Sequence, residues 1–151
     1  MAVGLDEIMA SFHFSQRFFR AHLNGIRSDQ WDWKPFPACR SIREILLHWA
    51  DLYSPGQTGL QTALEPTEPN VATVQSLMKE AGERYAAEYH EKYADTPMDA
   101  PFRPNGITVG TVLASFPAED NYHAGQIAFI RLATEPEWDW VKAVHQTPEQ
   151  V

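Results

Sequence analysis

Cysteine is almost absent from this chain of 151 residues, with Cys39 standing alone. A single thiol cannot close an intramolecular disulfide, so stability has to come from a packed core, and a reducing cytoplasm is the expected setting. No His or Lys neighbours Cys39 closely in sequence, so it reads as an inert loop thiol. Basic residues are also scarce: 12 Lys and Arg face 20 Asp and Glu, giving a net charge of −8 and a pI near 5.1. Phosphate backbones repel such a surface, and no Lys/Arg cluster offers an exception, so nucleic acid is not an expected partner. No apolar run approaches membrane-spanning length. The start, MAVGLDEIMASF, lacks the basic residues and long apolar stretch of a secretory signal, so no membrane association is expected. Strand-type alternation is nearly missing as well. What remains is an ordinary globular composition, 44% hydrophobic and 21% charged, long enough for a single domain over residues 1–151.

Periodicity marks four long amphipathic segments. The first runs from about Leu5 to Gly25, with Leu5, Ile8, Met9, Phe12, Phe19, Leu23 and Ile26 on one face. Phe14 and Phe18 lie off that face, which hints at a second buried contact such as another subunit. The second helix starts at Ser41, because Ser41-Ile-Arg-Glu44 is a capping box. Its stripe is Ile42, Ile45, Leu46, Trp49, Leu52 and Tyr53, ended or interrupted by Pro55-Gly56. After a Pro-rich connection the third helix spans about Val71 to Tyr93. Thr108 then offers an N-cap to the fourth, whose inner face carries Val109, Val112, Leu113, Phe116, His123, Ile127 and Ile130. Pro117 is expected to kink or restart that helix. The tail from Glu135, with Trp138 and Trp140, is expected to fold back. The predicted fold is therefore all-α: an up-and-down-type four-helix bundle with a short C-terminal tail packed on it.

Three titratable residues, Glu119, Asp120 and His123, fall where the last helix should be apolar. Glu119 and His123 are four apart, which stacks their side chains on one face about 5–6 Å apart at Cβ. Two side chains at this spacing can share a metal ion. His48 borders the stripe of the second helix, and the bundle could bring it across from both; Asp51 is less well aimed. Burying an unpaired carboxylate costs several kcal/mol, and a divalent cation offsets that cost by turning the acid and the imidazoles into ligands. Two His and one carboxylate suit Zn, Fe, Mn or Ni and leave a position open. The competing reading is a plain hydrogen-bonded pair between Glu119 and His123. His13, His22, His90 and His145 fall off the inner stripes or in the tail and are expected at the surface.

Trp33-Lys-Pro35 followed by RSIREILLHWADL, together with NGITVGTVLASFPAEDNYHAGQIAFIRL, resembles the DinB/YfiT-like superfamily across almost the whole chain. The resemblance implies a four-helix bundle, often a homodimer, with a three-histidine metal site at one end. His48 matches the first ligand and His123, in His123-Ala-Gly-Gln126, the third. The second position is Glu119 rather than His. That substitution either gives a His/Glu/His set shifted towards Mn or Fe, or marks a site that has lost its metal. Gln126 is expected to orient a ligand or the cofactor, and Asp120 is the candidate general base. Superfamily members with assigned activity are similar to thiol transferases and isomerases. The expectation is thus a metal-dependent enzyme in which the ion activates a low-molecular-weight thiol, or water, against a small electrophilic substrate. The alternative is a non-catalytic bundle that binds a ligand or serves in a stress response.

Overall fold

The computed structural model describes residues 4–56 and 59–146. Helix makes up 66% of the described residues, and no strand occurs among them, which establishes the all-α class. Four long helices, α1 (Leu5–Ala21), α2 (Ile42–Tyr53), α4 (Val71–Tyr93) and α5 (Val109–Thr134), are joined by a short α3 (Gly59–Leu64). A single turn of 3₁₀ helix at Ser28–Gln30 and a π turn at Lys142–Gln146 complete the elements. Helix α1 lies against both α4 and α5, and α2 bridges α4 and α5. No described helix is long and apolar enough to cross a membrane.

The starts of the helices follow from their caps. Ser41 Oγ accepts the Glu44 amide at 3.3 Å while Glu44 Oε2 accepts the Ser41 amide at 2.9 Å, so the capping box forms as read from sequence. Asn70 and Thr108 cap α4 and α5 by accepting the amides of Thr73 and Thr111. Four departures from expectation have local causes. Helix α1 stops at Ala21 and a tight turn through Gly25, at φ 68°, leads out of it. Helix α3 lies in a stretch whose few apolar residues are too short a pattern to signal a helix. Helix α5 is continuous through the buried Pro117, so it does not restart there, and the stripe set by Val109 and Leu113 resumes at Ile127 and Ile130. Leu52 is 37% exposed, because the end of α2 turns that position away from its neighbours.

The core joins Phe12, Phe19 and Leu23 to Ile42, Ile45, Leu46 and Trp49, with Val74, Met78, Leu113 and Ile127. Each such aliphatic side chain contributes roughly 1.5–3 kcal/mol by leaving water. The tail divides. Trp138 packs with Ala21 and Val144 in a satellite cluster, whereas Trp140 stays exposed. Phe14 is exposed and stacks on Phe18, which is itself half-buried against the core and the tail. Arg131 fixes the tail in place. It is 1% exposed, donates to the carbonyls of His22 (3.0 Å), Asn24 and Gly25 (3.3 Å), and lays its guanidinium 4.3 Å over the Trp138 ring. Those carbonyls lie in the turn beyond α1, where helical partners run out, so a side chain from α5 supplies their hydrogen bonds.

Candidate metal centre

His48 and Trp49 are consecutive on α2, and Glu119 and Asp120 are consecutive on α5, so the two helices meet in an inner and an outer pair of contacts. Inside, the Trp49 indole N–H and the Tyr53 hydroxyl both donate to Asp120 Oδ1 at 3.0 Å. From α1, Gln16 Nε2 and Ser15 Oγ donate to Oδ2 at 2.6 and 3.2 Å. One fully buried carboxylate thereby ties three helices together. Its pKa is pushed up to about 6, because desolvation outweighs the hydrogen bonds from Gln16, Tyr53, Trp49 and Ser15. The Tyr53 hydroxyl is raised as well, by burial and then by the neighbouring Asp120 charge.

Outside that anchor the three expected ligands come together. Glu119 Oε1 lies 3.1 Å from His123 Nε2 and 3.5 Å from His48 Nε2. The two imidazole rings meet edge-on, with centroids 5.2 Å apart. One donor atom from each of the three lies within 4.8 Å of the other two, the one such group of His, Cys, Asp and Glu among the described residues. The His123 side chain is sealed at 1% exposure, while those of His48 and Glu119 are 32% and 43% exposed. The cluster therefore has a closed floor and an open mouth.

The hydrogen bonding behind His123 specifies what the cluster can hold. Gln126 Oε1 sits 2.7 Å from His123 Nδ1, and Gln126 Nε2 donates to the Tyr122 hydroxyl at 3.0 Å. A carbonyl oxygen only accepts, so Nδ1 carries the proton and Nε2 of the neutral ring turns its lone pair towards Glu119. A lone pair facing a carboxylate at 3.1 Å needs a positive charge between or upon them. A proton on His123 meets that need, and so does a metal ion. For a metal the two distances to Glu119 fit, since ligands about 2.0–2.2 Å from a shared ion lie about 3.0–3.5 Å from one another, and the third pair of donor atoms lies within 4.8 Å. Gln126 then plays the outer role that fixes a ligating imidazole's tautomer.

The remaining expected positions also have places. Asp51 is exposed and outside the cluster. The surface assignment of His22 is corrected: it is 3% exposed, donates Nδ1–H to the Phe18 carbonyl at 2.8 Å and packs edge-on against the Phe18 ring. Burial lowers its pKa. His13, His90 and His145 are exposed as expected. Sequence reasoning missed Ser15, Gln16, Trp49 and Tyr53 as the donors that hold Asp120. A signal existed, since Ser15 and Gln16 are polar residues on the α1 stripe between Phe12 and Phe19. Compared with known proteins, the chain finds no match among family models, curated proteins or solved structures.

Proposed function

We propose that the protein is a metal-dependent enzyme in which His48, Glu119 and His123 hold one divalent cation, of the Zn, Ni, Mn or Fe class. One observation carries this reading. Glu119 Oε1 stands between two imidazole nitrogens at 3.1 and 3.5 Å, and the nearer one, His123 Nε2, belongs to a ring whose other nitrogen holds its proton against Gln126. A bound ion supplies Lewis acidity that lowers the pKa of a thiol or of water into the neutral range. The chain's own residues do the rest. His123 and Gln126 form the rigid floor, and the exposed edges of His48 and Glu119 leave the outer side free for a thiol cofactor and a small electrophile. Asp120, with both oxygens engaged by four core donors, fixes the height of Glu119 and His123 against His48, so its role in this reading is positioning. The sequence resemblance to DinB/YfiT-like bundles supports the same assignment, and with it a cytoplasmic homodimer.

The test is elemental analysis of tag-free protein after growth in metal-replete medium. The expected result is close to one equivalent of a divalent metal, lost in the His48→Ala/His123→Ala double variant. Protein that stays metal-free after repletion sinks the reading. It leaves a hydrogen-bonded cluster of Glu119 with the two imidazoles, and a non-catalytic ligand-binding or stress-response role. Glu119→His sharpens the outcome: a ligating Glu119 predicts that the three-histidine variant retains or gains affinity for Zn and Ni.

A further inference from the structure

Next to the triad, on the outer side of α5, a groove of about 850 Å³ runs between that helix and the loop leading into α2. Its size is that of small-molecule sites, which combine apolar walls with a few polar groups. Here Pro35, Phe129 and Ile130 supply apolar surface, and Tyr122, Asn121 and Gln126 supply hydrogen-bonding groups. Arg40 is the only charged residue among the described residues of the lining, although the chain as a whole carries −8. Arg40 makes no hydrogen bond or ion pair among the described residues; the nearby Glu44 is engaged by Lys34 at 2.6 Å. A guanidinium with no hydrogen-bonded partner, in a groove whose described lining holds no acid, is a fork for a planar carboxylate. The exposed rings of Tyr122 and Phe129, 62% and 58% open to solvent, stand one on each side of Gly125 and Gln126 along the helix.

We infer that this groove binds a small organic monoanion, a carboxylate on a flat apolar body, with the carboxylate on Arg40 and the body between Tyr122 and Phe129. Gln126 makes the groove more than a neighbour of the triad. Its amide lines the groove, accepts from His123 Nδ1 at 2.7 Å and donates to Tyr122 at 3.0 Å. An occupant that engages Tyr122 or Gln126 acts directly on the tautomer and aim of a metal-ligating imidazole. That the occupant is the substrate rests on the metal reading above; the groove's affinity does not.

Gly125 provides a clean way to close the groove. A Cβ built there meets nothing within 4 Å, so the side chain of Gly125→Leu has room to enter the groove. The experiment titrates the full-length, ¹⁵N-labelled, chelator-treated protein with 3-phenylpropionate and with its neutral amide, following backbone amide shifts. Saturable shifts at Cys39–Arg40 and across 121–130 are expected with the acid. The amide, and the acid with Arg40→Gln, should bind about tenfold more weakly, and Gly125→Leu should abolish binding. Equal affinity for acid and amide, or undiminished binding in folded Gly125→Leu, overturns the inference, as does the absence of saturable binding. Arg40→Gln decides alone if Gly125→Leu fails to fold. Acid binding by protein that takes up no metal supports the groove and sinks only the metal reading. Metal uptake without acid binding does the reverse.

Discussion

Glu119 and Asp120 differ by one position and have opposite surroundings. Glu119 reaches a half-open mouth; Asp120 is sealed among Ser15, Gln16, Trp49 and Tyr53. The sealed carboxyl is the one whose protonation bears on stability. Its folded pKa, about 6, lies above its ordinary value of 3.8, so between these pH values the folded state holds a proton that the unfolded chain has released. Its contribution is therefore complete below about pH 4, declines as pH rises to about 6, and is level above that. With 1.36 kcal/mol per pKa unit, the decline is on the order of 2–3 kcal/mol. Denaturant titrations of chelator-treated wild type and Asp120→Asn at pH 4 and pH 7 should show the difference in unfolding free energy shifting by that amount, against the wild type at pH 7. A pH-independent difference would mean that the four donors hold Asp120 ionised throughout. Gln126 is the matching test on the outer side. Gln126→Leu removes the acceptor that fixes His123, and metal affinity should drop by about 10–100-fold, measured by competition with a chromophoric chelator.

At the scale of the helix, two glycines separate local propensity from packing. In an exposed helix interior Gly→Ala stabilises by about 1 kcal/mol. Gly125 is such a place, with open space where the methyl would go. Gly82 on α4 is not, since a Cβ there would lie 2.6 Å from Gln16 Oε1 and 3.3 Å from its Cδ. Gln16 is held at its other end by Asp120 at 2.6 Å, so making room for the methyl loosens the bond that ties α1 to α5. Thermal melts should move in opposite directions: Gly125→Ala upward, and Gly82→Ala downward by the equivalent of about 1 kcal/mol. A rise in both would show that Gln16 can swing aside without disturbing the anchor. Ser41→Ala, which removes half of the capping box of α2, should cost on the order of 1 kcal/mol in the same assay.

Across the whole molecule, the legible features were those written in local pattern. The extent of α4, the caps Ser41 and Thr108, and the four-residue spacing of Glu119 and His123 needed only propensity, capping and helical phase. The meeting of His48 with that pair depended on how α2 lies against α5, which no single segment encodes; the place of His48 beside its stripe allowed it, and the DinB/YfiT-like resemblance strengthened the expectation. Hidden altogether were side chains whose partners lie roughly a hundred residues away, and Arg131 is the clearest case. In sequence it is a basic residue in the last turn of a helix. In the fold it is buried, satisfies the carbonyls of His22, Asn24 and Gly25, and carries Trp138 on its face. Arg131→Met keeps much of the stem's apolar contact and leaves those carbonyls without their donor. Bonds to charged groups contribute about 1.5–3 kcal/mol each and are not additive, so a loss of roughly 2–4 kcal/mol is expected. Trp138→Ala should be destabilising as well, and because the two side chains touch, the double variant should lose less than the sum, with a coupling of about 0.5 kcal/mol or more. Arg131 lies eight residues beyond His123, about 12 Å along the helix. Metal uptake at the triad should therefore survive in Arg131→Met at temperatures where the variant remains folded. Additive losses would separate the tail from the clamp, and loss of metal from folded Arg131→Met would show that the end of α5 helps to set the height at which Glu119 and His123 face His48.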